Sequence, residues 1–358
     1  MTDTPDTGAA GADTSVASFE ETHRGPIAQL QHVLHNFPTL VPIIILLLSV
    51  AVFAVVTDGR LLTGLAIKIT LEQTAIIAIL ACAQTLIILT AGIDLSVGAV
   101  MVLSYVVMGH LAVNYGFPAA PSIFAGILLA MALGAVNGFL VTRIKLPPFI
   151  VTLGMWQIVL ATVFLYTGSQ SIRSQDIDAT APLLKIFGER VEVGDWSLNI
   201  MGAPTIYAVL LVVLLFGTFW YVLNRTAWGR HVYAVGDDPE AAQLAGVRTD
   251  KVLMSVYIVA GAIVGLAAWA AIGRVGSISP SSFAEANLDS IAAVVIGGTS
   301  LFGGRGTILG TLFGALTVGV FATGLKLAGA NPQWVLFASG CLIILAVALD
   351  QWIRRIST

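Results

Sequence analysis

The sequence predicts an all-α integral membrane protein of about ten transmembrane helices with an inverted internal repeat, and three observations predict it. Hydrophobic residues make up 57% of the chain and charged residues 10%, at a mean hydropathy of +0.92, whereas a soluble domain carries about 25% charge. The apolar residues come in runs of roughly 17 to 25, the length that crosses a hydrocarbon core about 30 Å thick. A set of glycine, lysine, proline and aspartate marks recurs once in each half. The runs are nearly continuous, as from Val41 to Val56 and Ile206 to Tyr221, where a membrane barrel would alternate over about ten residues. Backbone groups in lipid therefore pair within helices.

In chain order, residues 1–37 are rich in Thr, Asp, Gly and Ala, carry Arg24 as their single base and lack the basic start and apolar core of a cleaved signal. They read as a disordered cytoplasmic tail ahead of a transmembrane domain at 38–358. Crossing segments fall at 38–57, 66–90, 95–114, 119–142, 148–168, 204–223, 251–273, 288–302, 307–328 and 333–350. Placing both termini in the cytoplasm puts Arg143, Lys145, Arg225, Arg230, Arg248, Lys251, Arg305, Arg354 and Arg355 inside with Arg24, which satisfies the positive-inside rule best at the short loops. Two connections exceed the usual loop length: 169–203, outside and acidic, and 224–250, inside.

Several classes are excluded. A net charge of −3 points to no nucleic acid. Cys82 and Cys341 lie within apolar segments as packing residues, and none of the five histidines forms a metal-ligand spacing with an acid. The glycines at 297–298 and 303–306 lack the strand and the Lys-Ser or Lys-Thr pair of a phosphate cradle, so they are expected to shape a tight turn and close helix contacts.

The repeat places Gly126, Gly134, Gly138, Lys145 and Pro148 against Gly306, Gly314, Gly319, Lys326 and Pro332, with Ile93-Asp94-Leu95 upstream of one and Leu288-Asp289-Ser290 upstream of the other. In this topology the helix from Asp94 runs outward and that from Asp289 runs inward. An inverted repeat suits alternating access, in secondary transporters and some channels as well as in pumps.

In the inner loop, Gly236 to Gly246 predicts a short rod: Asp238 caps a helix with Pro239 in its first turn, Glu240 suits the positive end and Gly246 ends it. Glu240-Ala241-Ala242, three residues and Gly246 resembles the coupling segment of bacterial ABC importer permeases, although the Leu-Pro that often follows there is absent here. An ordinary capped loop helix is the alternative. Thr90-Ala-Gly-Ile-Asp-Leu-Ser-Val-Gly98, Leu146-Pro-Pro-Phe-Ile-Val-Thr-Leu-Gly154, Asn224-Arg-Thr-Ala-Trp-Gly-Arg230 and Val295-Ile-Gly-Gly-Thr-Ser-Leu-Phe-Gly-Gly-Arg-Gly306 together resemble the monosaccharide-importer permeases, the ribose, xylose and fructose group, and within it most the fructose-import type.

The resemblance implies a non-catalytic permease of the bacterial inner membrane, paired with a second permease subunit as a homodimer. It also implies a cytoplasmic ATPase with two nucleotide-binding cassettes, which holds the ATP and Mg, and a periplasmic sugar-binding protein. No cofactor is expected on this chain. An ion-coupled secondary transporter, or an ABC permease for nucleosides or branched-chain amino acids, remains an alternative at this point.

A neutral sugar calls for hydroxyl-bonding and aromatic groups rather than fixed charge, since an ionisable group at mid-membrane costs about 2.5 to 3.5 kcal/mol. Candidates inside the apolar spans are Gln84, Asn137, Thr152, Trp156 and Gln157. Gln84 and Asn137 either line a path or bond a neighbouring helix. Asp94 with Ser96, and Asp289 with Asn287, either cap helix starts or form gates at opposite membrane faces.

Overall fold

The structure, a computed structural model, describes residues 39–193, 196–200 and 203–331 with scattered positions from 333 to 348. The tail at 1–37 and half of the tenth expected span, 333–350, lie outside the described residues. Among the described residues, seven helices are long and apolar enough to cross a membrane: α2 (Gly64–Leu89), α3 (Val97–Gly109, continued by a π-helical turn to Asn114), α4 (Ala119–Thr142), α5 (Pro148–Thr167), α7 (Tyr207–Arg225), α10 (Thr249–Val275) and α12 (Ile308–Leu327). Two apolar helices are shorter, α1 (Leu40–Val56) and α11 (Ala286–Ile296).

Local chemistry sets the ends. Thr63 caps α2 by accepting from the Ala66 N–H, and Pro148 occupies the first position of α5, where its missing N–H costs nothing. Gly276, at φ +73°, closes α10 in the left-handed conformation.

The long connection from 169 is not bare: it holds α6 (Ser174–Thr180), a 3-10 turn at Pro182–Gly188 and two small antiparallel hairpins, β1–β2 (Glu192–Val193, Trp196–Ser197) and β3–β4 (Asn199–Ile200, Ala203–Pro204). The connection at 224–250 folds into α8 (Ala227–Asp237) and α9 (Pro239–Leu244).

Two expected spans are corrected. The sixth begins at Tyr207 rather than 204, because residues 203–204 pair in a hairpin. The eighth, expected at 288–302, is α11 and stops at Ile296, where Gly298, Gly303 and Gly304 at φ +79°, +82° and +68° turn the chain.

The repeat is visible as two triplets, α2–α3–α4 and α10–α11–α12, each a long helix, a short one and a long one. The third helix of each packs along the first helix of the other: α4 on α10 and α12 on α2. Gly134 of α4 and Gly261 of α10 are the points of approach, and a Cβ on either would overlap the facing backbone; small residues of this kind let membrane helices pack closely. Within this frame α2 is enclosed on all sides, with every residue from Thr74 to Leu89 buried.

Candidate functional site

After α2 ends at Leu89 the chain does not leave the bundle but runs back through it as a non-helical segment, Ala91 to Ser96, before α3 begins. Backbone without helical pairing survives at membrane depth only where protein satisfies it, and here four helices contribute. Gln84 of α2, its amide oriented to match both partners, donates to the Asp94 carbonyl and accepts from the Asp94 N–H, each at 3.2 Å. Thr152 of α5 donates to the Ile93 carbonyl at 3.0 Å. Asn287 of α11 donates to the Leu95 carbonyl at 3.3 Å. From α4, Asn137 donates to the Ser96 hydroxyl at 3.0 Å and to Asp94 Oδ2 at 3.4 Å. The carboxylate itself accepts from the Ser96 N–H and hydroxyl at 2.7 and 2.6 Å, which fixes the turn into α3.

A Cβ on Gly98 would come within 3.1 Å of the Asn287 amide nitrogen, so α3 and α11 begin against each other. Two helix starts thus meet beside one buried carboxylate. Behind it lies a cavity of about 10 Å³ bounded by Asp94, Ser96, Asn137, Gly134, Tyr257 and Gly261. The Tyr257 hydroxyl and Asn137 Oδ1 are buried there with no hydrogen-bond partner among the described residues.

Six of the nine sequence candidates for a path or gate, Gln84, Asp94, Ser96, Asn137, Thr152 and Asn287, therefore converge on one junction. The other three do not. Trp156 is half-buried against the core, Gln157 is exposed, and Asp289 lies in the first turn of α11 with no side-chain hydrogen bond among the described residues. α11 starts at Ala286, two residues earlier than expected, so Asn287 and not Asp289 stands at the junction with Asp94. Tyr257 was not singled out from the sequence; a lone tyrosine four residues before Gly261 in an apolar run was the available signal.

The second candidate region lies at the end of the bundle where α2 finishes. Asp238 accepts from the Glu240 and Ala241 N–H groups at 2.9 and 3.0 Å, Pro239 opens α9, and Gly246 follows it at φ +88°. α9 is six residues long, anchored by buried Ala242, and presents Leu244 at 91% exposure. α8 docks this rod to the membrane helices. A Cβ on Gly236 would overlap the Leu89 carbonyl and reach within 2.7 Å of Gly304 N, whose N–H donates to that same carbonyl at 3.0 Å. Tyr233 donates to the Gly306 carbonyl at 3.0 Å, and burial raises its hydroxyl pKa. Trp228 bonds Ser255 of α10 at 2.8 Å. Lys145 pairs with Asp250 at 3.0 Å across the same end.

Residues 66–347 match the family described as branched-chain amino acid transport system / permease component. The chain belongs to this permease family. Over 348 residues the permease is 54% identical to the fructose import permease protein of Rhizobium meliloti, covering 97% of this chain and 95% of that one. It is 36% identical over 281 residues to the ribose import permease protein of Escherichia coli K12, at 78% and 84% coverage. It is 31% identical over 368 aligned positions to the xylose transport system permease protein of the same strain, at 89% and 93%. No solved structure matches the chain.

Proposed function

We propose that this permease is the translocating subunit of an ATP-driven importer of a monosaccharide, a fructose-like hexose or a pentose such as ribose or xylose, in the bacterial inner membrane. It has no chemistry of its own. Two copies pair, a cytoplasmic ATPase with two cassettes binds the ATP and Mg, and a periplasmic sugar-binding protein delivers the cargo. Both termini lie in the cytoplasm.

The observation that carries this reading is the attachment of the α9 rod to the end of α2 through Gly236. A rigid capped helix with an exposed Leu244 fits a groove on a motor, whereas a loop free of the membrane helices would dissipate the motor's movement. From Gly236 the contact passes to Leu89, and five residues further along the chain stands Asp94 at the common start of α3 and α11. A shift of α8 thus moves the segment that joins the two repeats, which is the displacement alternating access requires.

The test is reconstitution of the chain with its ATPase and binding protein in liposomes, with fructose, ribose and xylose offered in turn. One of these sugars should stimulate ATP hydrolysis and accumulate inside. No stimulation by any sugar would remove the substrate reading, and uptake by the chain alone that an ionophore abolishes would replace it with an ion-coupled transporter.

A further inference from the structure

Of the membrane-length helices, α5 is the least enclosed: 28% of its apolar window is buried, against 83% for α2. Its buried side is Val151, Thr152, Met155, Val159 and Val163. The opposite stripe, exposed throughout, carries Gly154, Gln157 and Ala161 with Leu153 and Ile158 between them.

Gln157 is the tenth of the twenty residues of α5, so at 1.5 Å per residue it stands about 15 Å from either end, at the depth of the bilayer centre. Its amide makes no hydrogen bond among the described residues. Exposed Thr162 differs, because its hydroxyl returns to the Ile158 carbonyl at 2.8 Å. A primary amide facing hydrocarbon has no partner there, and its burial without one is unfavourable.

Beside it the surface is shaped for a close neighbour. A Cβ on Gly154 would meet nothing within 4 Å, and Ala161 lies seven residues on along the same stripe. Small residues flanking a polar side chain let two membrane helices approach and hydrogen-bond.

We propose that α5 of a second copy of this chain covers the stripe, with the two Gln157 amides facing each other across a two-fold axis along the membrane normal. The amide chemistry selects the occupant. A glutamine carries both donor and acceptor and is its own complement, and a two-fold axis sets like against like; lipid tails offer neither group. The inference rests on the reading of a paired permease and specifies the seam between its halves.

The test uses the assembled importer in membranes, with Cys82→Ala and Cys341→Ser removing the native thiols. Gln157→Cys and Gly154→Cys are compared with Leu128→Cys, which is exposed and is the tenth residue of α4, hence at matched depth. Oxidation should yield about tenfold more disulfide-linked dimer from the α5 variants than from Leu128→Cys, as expected for side chains held together rather than meeting by chance. If Gln157→Cys does not accumulate, Gly154→Cys reads the same contact. Equal or weaker cross-linking than Leu128→Cys overturns the proposal. So does rapid modification of both α5 thiols by a water-soluble reagent without cross-linking, which would place the stripe on an aqueous surface. Sugar uptake by the cysteine-free parent, measured first, separates failure of this seam from failure of the transport reading.

Discussion

Gln84→Met tests whether one side chain holds the non-helical segment at the junction. Methionine keeps the length and nearly the volume of glutamine and fills gaps readily, so no cavity is added at this fully buried position. What changes is polar: the Asp94 N–H and carbonyl, each 3.2 Å from the Gln84 amide, lose their partners in a place that water does not reach. A buried group left unsatisfied costs about 1 to 3 kcal/mol. Distances at the long end of the hydrogen-bond range put the pair in the lower part of that span, about 2 to 4 kcal/mol together. At about 1.4 kcal/mol per tenfold, opening of the segment should become roughly 30- to 700-fold more frequent. The assay is amide hydrogen exchange of residues 86–98 in lipid nanodiscs, with α4 and α10 as internal controls. Exchange that rises by less than about threefold, far short of the orphaned-group cost, would refute the reasoning and leave Gln84 as mere filling.

Gly236→Ala forces α8 away from the Leu89 carbonyl, an overpacking worth about 1 to 3 kcal/mol; ATP hydrolysis by the assembled importer should persist while sugar uptake falls, and a proportional loss of both would count against Gly236 as a link. Asp238→Ala removes both cap hydrogen bonds of α9, at about 1 kcal/mol. Binding of the ATPase, followed by titration in detergent, should weaken about fivefold and recover in Asp238→Ser. Tyr257→Phe deletes an unpartnered buried hydroxyl, so thermal stability in detergent should stay level or rise by about 1 kcal/mol. A fall in stability would mean the hydroxyl is bonded. Gly134→Val drives a side chain into the Tyr257 carbonyl across the α4–α10 contact, and should lower stability by about 1 to 3 kcal/mol or abolish accumulation, scored by size-exclusion profile.

The helices were legible because the signal that defines them, an unbroken apolar run of membrane length, is local. Their ends were less so. Gly297 and Gly298 signal a turn within 288–302 but not that the span ends there at Ile296; the path beyond is set by left-handed Gly303 and Gly304, whose neighbours, Ala91 and Asp237, are distant in sequence. The residue types of the junction were readable for a related reason: a polar side chain inside an apolar run is rare enough to stand out, and Gln84, Asn137 and Thr152 each did. Their meeting point was not readable. Asp94 and Asp289 looked equivalent in the repeat, yet a two-residue difference in helix start gave the second place to Asn287. Tyr257 and the glycines at 134 and 261 were obscured because, in a chain with 36 glycines, close approach is a property of pairs and not of positions.

The physical asymmetry between spans and junction suggests where motion is cheapest. Each membrane-spanning helix satisfies its own backbone, so sliding or tilting one as a body breaks side-chain contacts but no main-chain pairing. The segment from Ala91 to Ser96 has no such independence: its carbonyls at Ile93, Asp94 and Leu95 bond to Thr152, Gln84 and Asn287, which belong to α5, α2 and α11. These helices cannot move apart at this point without leaving a carbonyl unpaired in a dry interior. They can move together, or exchange one partner for another, with the Asn137 amide and the hydroxyls of Ser96 and Tyr257 within the same small space to receive a freed group. The junction therefore favours a few discrete arrangements over a continuum. A push delivered at Leu89 through Gly236 reaches the one stretch of backbone whose hydrogen bonds report the positions of several helices at once.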